Sequence, residues 1–199
     1  MKKLGILLGG ALALAACSTT PHPPTPAELA NPLIAPGYLA QAASSDQFEI
    51  QSGQLALQAS QNPAVQQLAN TLIRDHTNST QMLMTAAQAA HVYTPTPTML
   101  PPQQAMLDQL RAAGSGYAFD QAFQQMQIQA HQQALQLHQN YAQSGDVPQL
   151  RATASQIVPV IQEHLQMAQS LQLTPPAPPP PPPPPPMAAP APGQRGERG

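Results

Sequence analysis

The sequence predicts an all-α protein: an antiparallel four-helix bundle with a short extra helix before the third long one. Three observations predict it. Between Gly37 and Leu173 apolar residues recur every three to four positions, the spacing of a buried helix face, and no run alternates as a half-buried strand would. Proline, glycine and Asn-Pro punctuation interrupts that pattern at only a few places. The connections it leaves are mostly short, which makes consecutive helices antiparallel neighbours.

The first long helix is expected from about Tyr38 to Ser60. Asn62-Pro63 then supplies an N-cap and a first-turn proline, whose missing N–H has no partner to lose there. The second helix reaches about His91, with Val65, Ala69, Leu72, His76, Leu83, Ala87 and Ala90 on one stripe. The proline- and threonine-rich stretch Val92 to Pro102 ends it, because a residue before proline is pushed out of the helical region. A short helix follows from about Gln103 to Ala113 and stops at Gly114-Ser115-Gly116. Phe119, Phe123, Met126, Ala130, Ala134, Leu137 and Tyr141 mark the core face of the third long helix. Asp146 is the expected N-cap of the last, where Leu150, Ala154, Ile157, Ile161, His164, Ala168 and Leu171 share a face. Pro159 removes a backbone donor inside that helix and predicts a kink near Ser155.

Two proline-rich arms flank this domain, residues 37–173. Lys2-Lys3, the apolar stretch Leu4 to Leu14 and then Leu14-Ala15-Ala16-Cys17 read as a lipoprotein signal over residues 1–16, cleaved before a lipidated Cys17. The apolar stretch is too short to span the ~30 Å of a bilayer core. Cys17 is the only cysteine, so no intramolecular disulfide can form. Acyl chains there, at ~0.8 kcal/mol per buried methylene, would hold the chain to a membrane. The segment resembles Gram-negative lipoprotein signals, in which aspartate after the cysteine favours inner-membrane retention. Ser18 stands there instead, which implies the periplasmic side of the outer membrane. Residues 17–36 read as the lipidated cysteine and an extended tether. Residues 174–199 read as a disordered tail whose run Pro178 to Pro186 would extend roughly 28 Å as polyproline II at ~3.1 Å per residue. That run could meet an aromatic groove on a protein partner or push Arg195 and Arg198 toward the cell wall; it could equally be a solvated segment with no partner.

Charge and motifs exclude several function classes. Without Lys2 and Lys3 the chain has five arginines and no lysine against nine acidic residues, a formal charge of 5 − 9 = −4. Arg74, Arg111 and Arg151 form no cluster, so nothing recruits a nucleic acid backbone. There is no Gly-rich phosphate loop, no G-x-S-x-G elbow and no cysteine nucleophile in the domain, so no residue set nominates a reaction and the expectation is a non-catalytic protein. The methionines, Met82 and Met126 among them, are dispersed at core-compatible positions and read as packing. Glutamine numbers 29 between Gly37 and Leu173, on faces where bundles usually carry lysine and glutamate. It keeps helicity without titrating, which suits an acid-exposed periplasm.

Phe48-Glu49-Ile50, Leu55-Ala56 and Arg74-Asp75-His76-Thr77 with its alanine-rich continuation resemble the bacterial family known as domain of unknown function 4142. Phe119-Asp120, Met126 followed by His131, and Val158-Pro159 followed by His164-Leu165 resemble its second half in order and spacing. The resemblance covers roughly Gly37 to Leu173 and departs from the family mainly where surface glutamine replaces lysine and glutamate. It implies a ferritin-like fold and an exported protein with an envelope or stress-related role, and brings no established reaction.

The remaining chemistry lies in ionisable groups on apolar faces, which need partners once buried. His76 and His164 sit in the middle of their stripes. Glu49 shares a column with the small residues Ala42, Gly53 and Ala56, and His131 and His138 line a flank of the third long helix. One reading is a hydrogen-bonded network that fixes helix register. It is favoured by the absence of the paired Glu-x-x-His motifs of di-iron bundles. The other is that Glu49, His76, His131 and His164, one from each long helix, converge on a divalent metal such as iron, zinc or copper, with Asp75 or Glu163 orienting a ring from behind. His22 and His91, in the tether and at a helix end, read as solvated.

Overall fold

The protein is described here by a computed structural model covering residues 23–173 and 175. Cys17, the signal segment and the run Pro178 to Pro186 lie outside the described residues. Within them there are six helices and no strand: α1 Pro26–Ala30, α2 Ala35–Ala59, α3 Pro63–Ala89, α4 Pro101–Ala112, α5 Tyr117–Ser144 and α6 Pro148–Ser170. The four long ones pack in a ring, α2 against α3, α3 against α6, α6 against α5 and α5 against α2, while α1 lies on α2 and α4 covers α2 and α5. No described helix is long and apolar enough to cross a membrane.

Five of the six helices carry proline in the first turn, where its lost N–H is harmless and its fixed φ suits the helix. Asn62 caps α3 by accepting from the Ala64 N–H at 2.9 Å. Helix α2 shows almost no amphipathic stripe because neighbours cover it on several sides. It is built from small residues accordingly, and a Cβ on Gly53 would come within 3.0 Å of the Ala69 carbonyl oxygen and 2.9 Å of Ile73 on α3.

Some local expectations change. Residues 26–30 of the expected extended tether are helical, because Thr25-Pro26-Ala27-Glu28 is a capping box: the Thr25 hydroxyl accepts from the Glu28 N–H and the Glu28 carboxylate accepts from the Thr25 N–H. Val147, not Asp146, is the N-cap of α6. Asp146 instead accepts from the Tyr141 hydroxyl at 2.8 Å, and its N–H donates to the Leu33 carbonyl at 3.2 Å, tying the α5–α6 turn to the segment before α2. Met126 and Leu137 are only partly buried on α5, whereas His131 and His138 are fully buried, so the core face is rotated toward the histidines.

The core has two main apolar clusters. Tyr38, Leu39, Leu83, Tyr141, Leu150 and Ile161 build one, with Tyr38 and Tyr141 stacked at 3.7 Å. Val65, Leu72, Leu110, Phe119, Phe123 and Ala168 build the other. On every long helix buried polar residues lie between these two sets, Asp46 and Glu49 on α2, His76 on α3, His131 on α5 and His164 on α6, beside a smaller apolar cluster of Phe48, Leu107 and Ala130. A polar layer therefore crosses the middle of an otherwise apolar interior.

Candidate metal centre

Three histidines from three helices meet in this layer. His76, His131 and His164 are 3, 1 and 1 % exposed, and one ring nitrogen from each lies within 4.8 Å of the others. Their ring centroids are 5.3 to 5.5 Å apart. Helical periodicity places them: each occupies the position on its own stripe that faces the centre of the ring of helices.

Each ring is held from behind by one nitrogen. His76 Nδ1 meets Asp46 Oδ1 at 2.8 Å, and the other oxygen of Asp46 accepts from the Thr80 hydroxyl at 2.9 Å. His131 Nδ1 lies 2.8 Å from the Gln127 carbonyl one turn earlier on the same helix. His164 Nε2 lies 3.0 Å from Asp75 Oδ2, and the Asp75 carboxylate also takes a two-pronged contact from Arg74 at 2.7 and 2.9 Å. A carbonyl or carboxylate can only accept, so each bonded nitrogen carries the proton. In the neutral rings the opposite nitrogens, His76 Nε2, His131 Nε2 and His164 Nδ1, keep their lone pairs, and all three are buried without a hydrogen-bond partner.

Charge around the cluster is one-sided. Burial is the largest influence on the His76 ring and disfavours its charged form, but the bond and charge of Asp46, with Glu49 and Asp75, outweigh it and leave the pKa above the ordinary histidine value. Burial, with repulsion from His76, pushes His131 well below that value, and the same two causes lower His164. Glu49 is 1 % exposed and neither oxygen has a well-formed hydrogen bond. Burial pushes its carboxyl up to about 7, against the pull of His76 and the nearby Gln127 amide.

Of the expected set, the structure brings His76, His131 and His164 together and places Glu49 beside them, its Oε1 3.7 Å from His131 Nδ1 but outside the three-nitrogen group. Asp75 backs His164. Glu163 is exposed and hydrogen-bonds no histidine, because its neighbour His164 takes the inward position and one step along a helix turns the side chain away. Asp46 and Gln127 are the functional positions that sequence reasoning missed. Asp46 stands one turn before Glu49 on the same face, which could have marked it; Gln127 was hidden among many glutamines. His138 is buried away from the cluster, its Nδ1 2.8 Å from the Tyr38 hydroxyl, and His91 is exposed.

Comparison with known proteins follows from this geometry. The profile of the family described as "Domain of unknown function (DUF4142)" matches residues 19–171. No curated protein sequence matches the chain. Two solved structures share the fold: CopM in the Cu(II)-bound form, with TM-score 0.57, and CopM in the Ag-bound form, with TM-score 0.55. Each is 20 % identical over 68 % of this chain and 93 % of CopM, a likeness that concerns the fold alone.

Proposed function

The chain belongs to the DUF4142 family, and from that footing we propose that it is a non-catalytic envelope protein whose antiparallel, ferritin-like four-helix bundle binds a transition-metal ion, copper by preference, on His76, His131 and His164. One observation carries the reading: three buried imidazoles from three helices meet, and the ring nitrogen that each leaves unbonded has no hydrogen-bond partner. A network built only to fix register would set donors against acceptors. Three such nitrogens buried together leave each polar atom unpaired, at roughly 1–3 kcal/mol apiece, and a cation resolves all three at once, displacing any second proton on His76. Neutral imidazole suits copper, zinc and iron, and among divalent first-row ions copper binds nitrogen sites most tightly. The fold shared with CopM, whose structures hold Cu(II) and silver, supports copper over the others. Glu49, buried beside the rings, supplies compensating negative charge.

The anchor belongs to the same proposal. The signal pattern ending at Cys17, followed by Ser18, supports a lipid-tethered position on the periplasmic face of the outer membrane.

The second reading, register fixation, is favoured by the bonds joining α3 to α2 through His76–Asp46 and α6 to α3 through His164–Asp75. Calorimetric titration of metal-free protein with copper, zinc and ferrous iron separates the two. The wild type is expected to take up one equivalent of copper, and His76→Gln and His164→Gln to lose it. Equal binding by all three proteins would leave the histidines structural.

A further inference from the structure

The three histidines are sealed, so an ion that binds them needs a route. Among the described residues, one seam touches a residue that holds a ring. Between α3 and α6 a cavity of about 70 Å³ is lined by Asp75, Asn78, Ser79, Met82, Ile157 and Val160 among others. Asp75 carries His164 on its Oδ2. Ser79, one turn beyond Asp75 and three residues beyond His76, is buried with its hydroxyl oxygen unpartnered. The cavity continues outward into a surface groove that shares Asn78, Met82 and Gln156 with it. On the opposite side a cavity lined by Ser45, Gln103, Met106 and Ala130 includes none of the residues that hold the three rings.

We infer that metal reaches the histidines through this α3–α6 seam, with the Met82 thioether at its mouth collecting soft monovalent ions and the Ser79 hydroxyl offering the next donor inward. The inference rests on the metal-binding reading above. Met82 belongs to both the groove and the cavity, and the Asn78 amide donates to its sulfur at 3.4 Å, which fixes where the thioether sits. A thioether prefers Cu(I) and Ag(I) to Zn(II), because a soft, polarisable donor matches a soft ion. One sulfur is too weak to retain the ion, so it speeds arrival and leaves the final affinity to the imidazoles. The mouth thus selects by rate and the interior by equilibrium.

The test is stopped-flow uptake of Ag(I), a redox-inert stand-in for Cu(I), and of Zn(II) by the full chain, with end-point stoichiometry from elemental analysis. Met82→Leu keeps the volume and removes the sulfur; it is expected to slow Ag(I) uptake about tenfold, within the range over which association rates vary among mutants of one site, while Zn(II) uptake and both stoichiometries stay unchanged. Ser79→Leu fills the cavity and is expected to slow both ions, with helicity checked by circular dichroism. Wild-type rates in Met82→Leu, or equal slowing of the two ions, would overturn the collecting role even if binding itself stands. Failure of the wild type to bind either ion would instead overturn the metal-binding reading, and the route with it.

Discussion

The Asp46 carboxylate divides its oxygens between His76 and Thr80, and that division fixes both the tautomer and the tilt of the His76 ring. Asparagine in its place keeps the shape but can turn a donor toward the ring, so Asp46→Asn is expected to weaken copper binding about 10- to 100-fold, the usual effect of losing a partner that orients a metal ligand; competition against a chelator of known affinity measures it. His138 controls a different property. Burial pushes it down to about 4, with Asp46 opposing and His76 assisting, so it stays neutral in the fold while the unfolded chain takes up a proton below about 6.5. Its contribution is therefore complete above about pH 6.5 and is lost as the pH falls toward about 4, a change of roughly 3 kcal/mol. His131 and His164 act in the same direction and His76 in the opposite one. Urea midpoints at pH 7 and pH 4.5 are expected to differ less in His138→Gln than in the wild type. His76 and His164 were legible in the sequence because periodicity puts them on buried faces, whereas His131 falls on a flank of the core face that Met126 and Leu137 suggest. Asp46 was not legible, since pairing a carboxylate on α2 with a ring on α3 depends on how far one helix has slid along the other.

Helix boundaries follow residues whose backbone preference is strong. Pro63 and the Asn62 cap made the start of α3 readable, while for α6 the sequence points to Asp146, one residue before the observed cap Val147. The capping box of α1 was present in the sequence but submerged in proline-rich composition, which suggests an extended arm when read as an average. The end of α3 shows a compromise. His91 adopts φ +55°, and the Val92 N–H donates to the Ala87 carbonyl while the His91 N–H donates to that of Gln88, the paired bonds of a Schellman ending. Glycine usually fills that left-handed position, where a Cβ costs about 1–2 kcal/mol. The exposed His91 side chain makes no contact that would be lost, so His91→Gly is expected to raise the thermal midpoint, with a gain of roughly 1 kcal/mol. Differential scanning calorimetry reads it directly.

For the molecule as a whole, the proposed lipid anchor rests on the sequence pattern, whereas the proposed cargo rests on the buried histidines. With the pattern Leu14-Ala15-Ala16-Cys17 as its basis, labelled palmitate is expected to enter the wild type, and Cys17→Ala is expected to release the protein into the soluble fraction. The glutamine-covered exterior carries little charge to titrate, so the shifted groups inside the bundle, the histidines together with Glu49 and Asp75, set how stability responds to acid. An unfolded chain scatters its three rings, so only the folded chain can hold the proposed ion. Occupancy then adds about 2.7 kcal/mol of stability when free metal stands a hundredfold above its dissociation constant. Proteases act on the opened fraction of a protein, and that fraction shrinks about a hundredfold over the same span. On the proposed function, the three histidines would couple metal supply to protein turnover: the loaded molecule would persist, the empty one would be cleared sooner, and the amount of protein would track the metal.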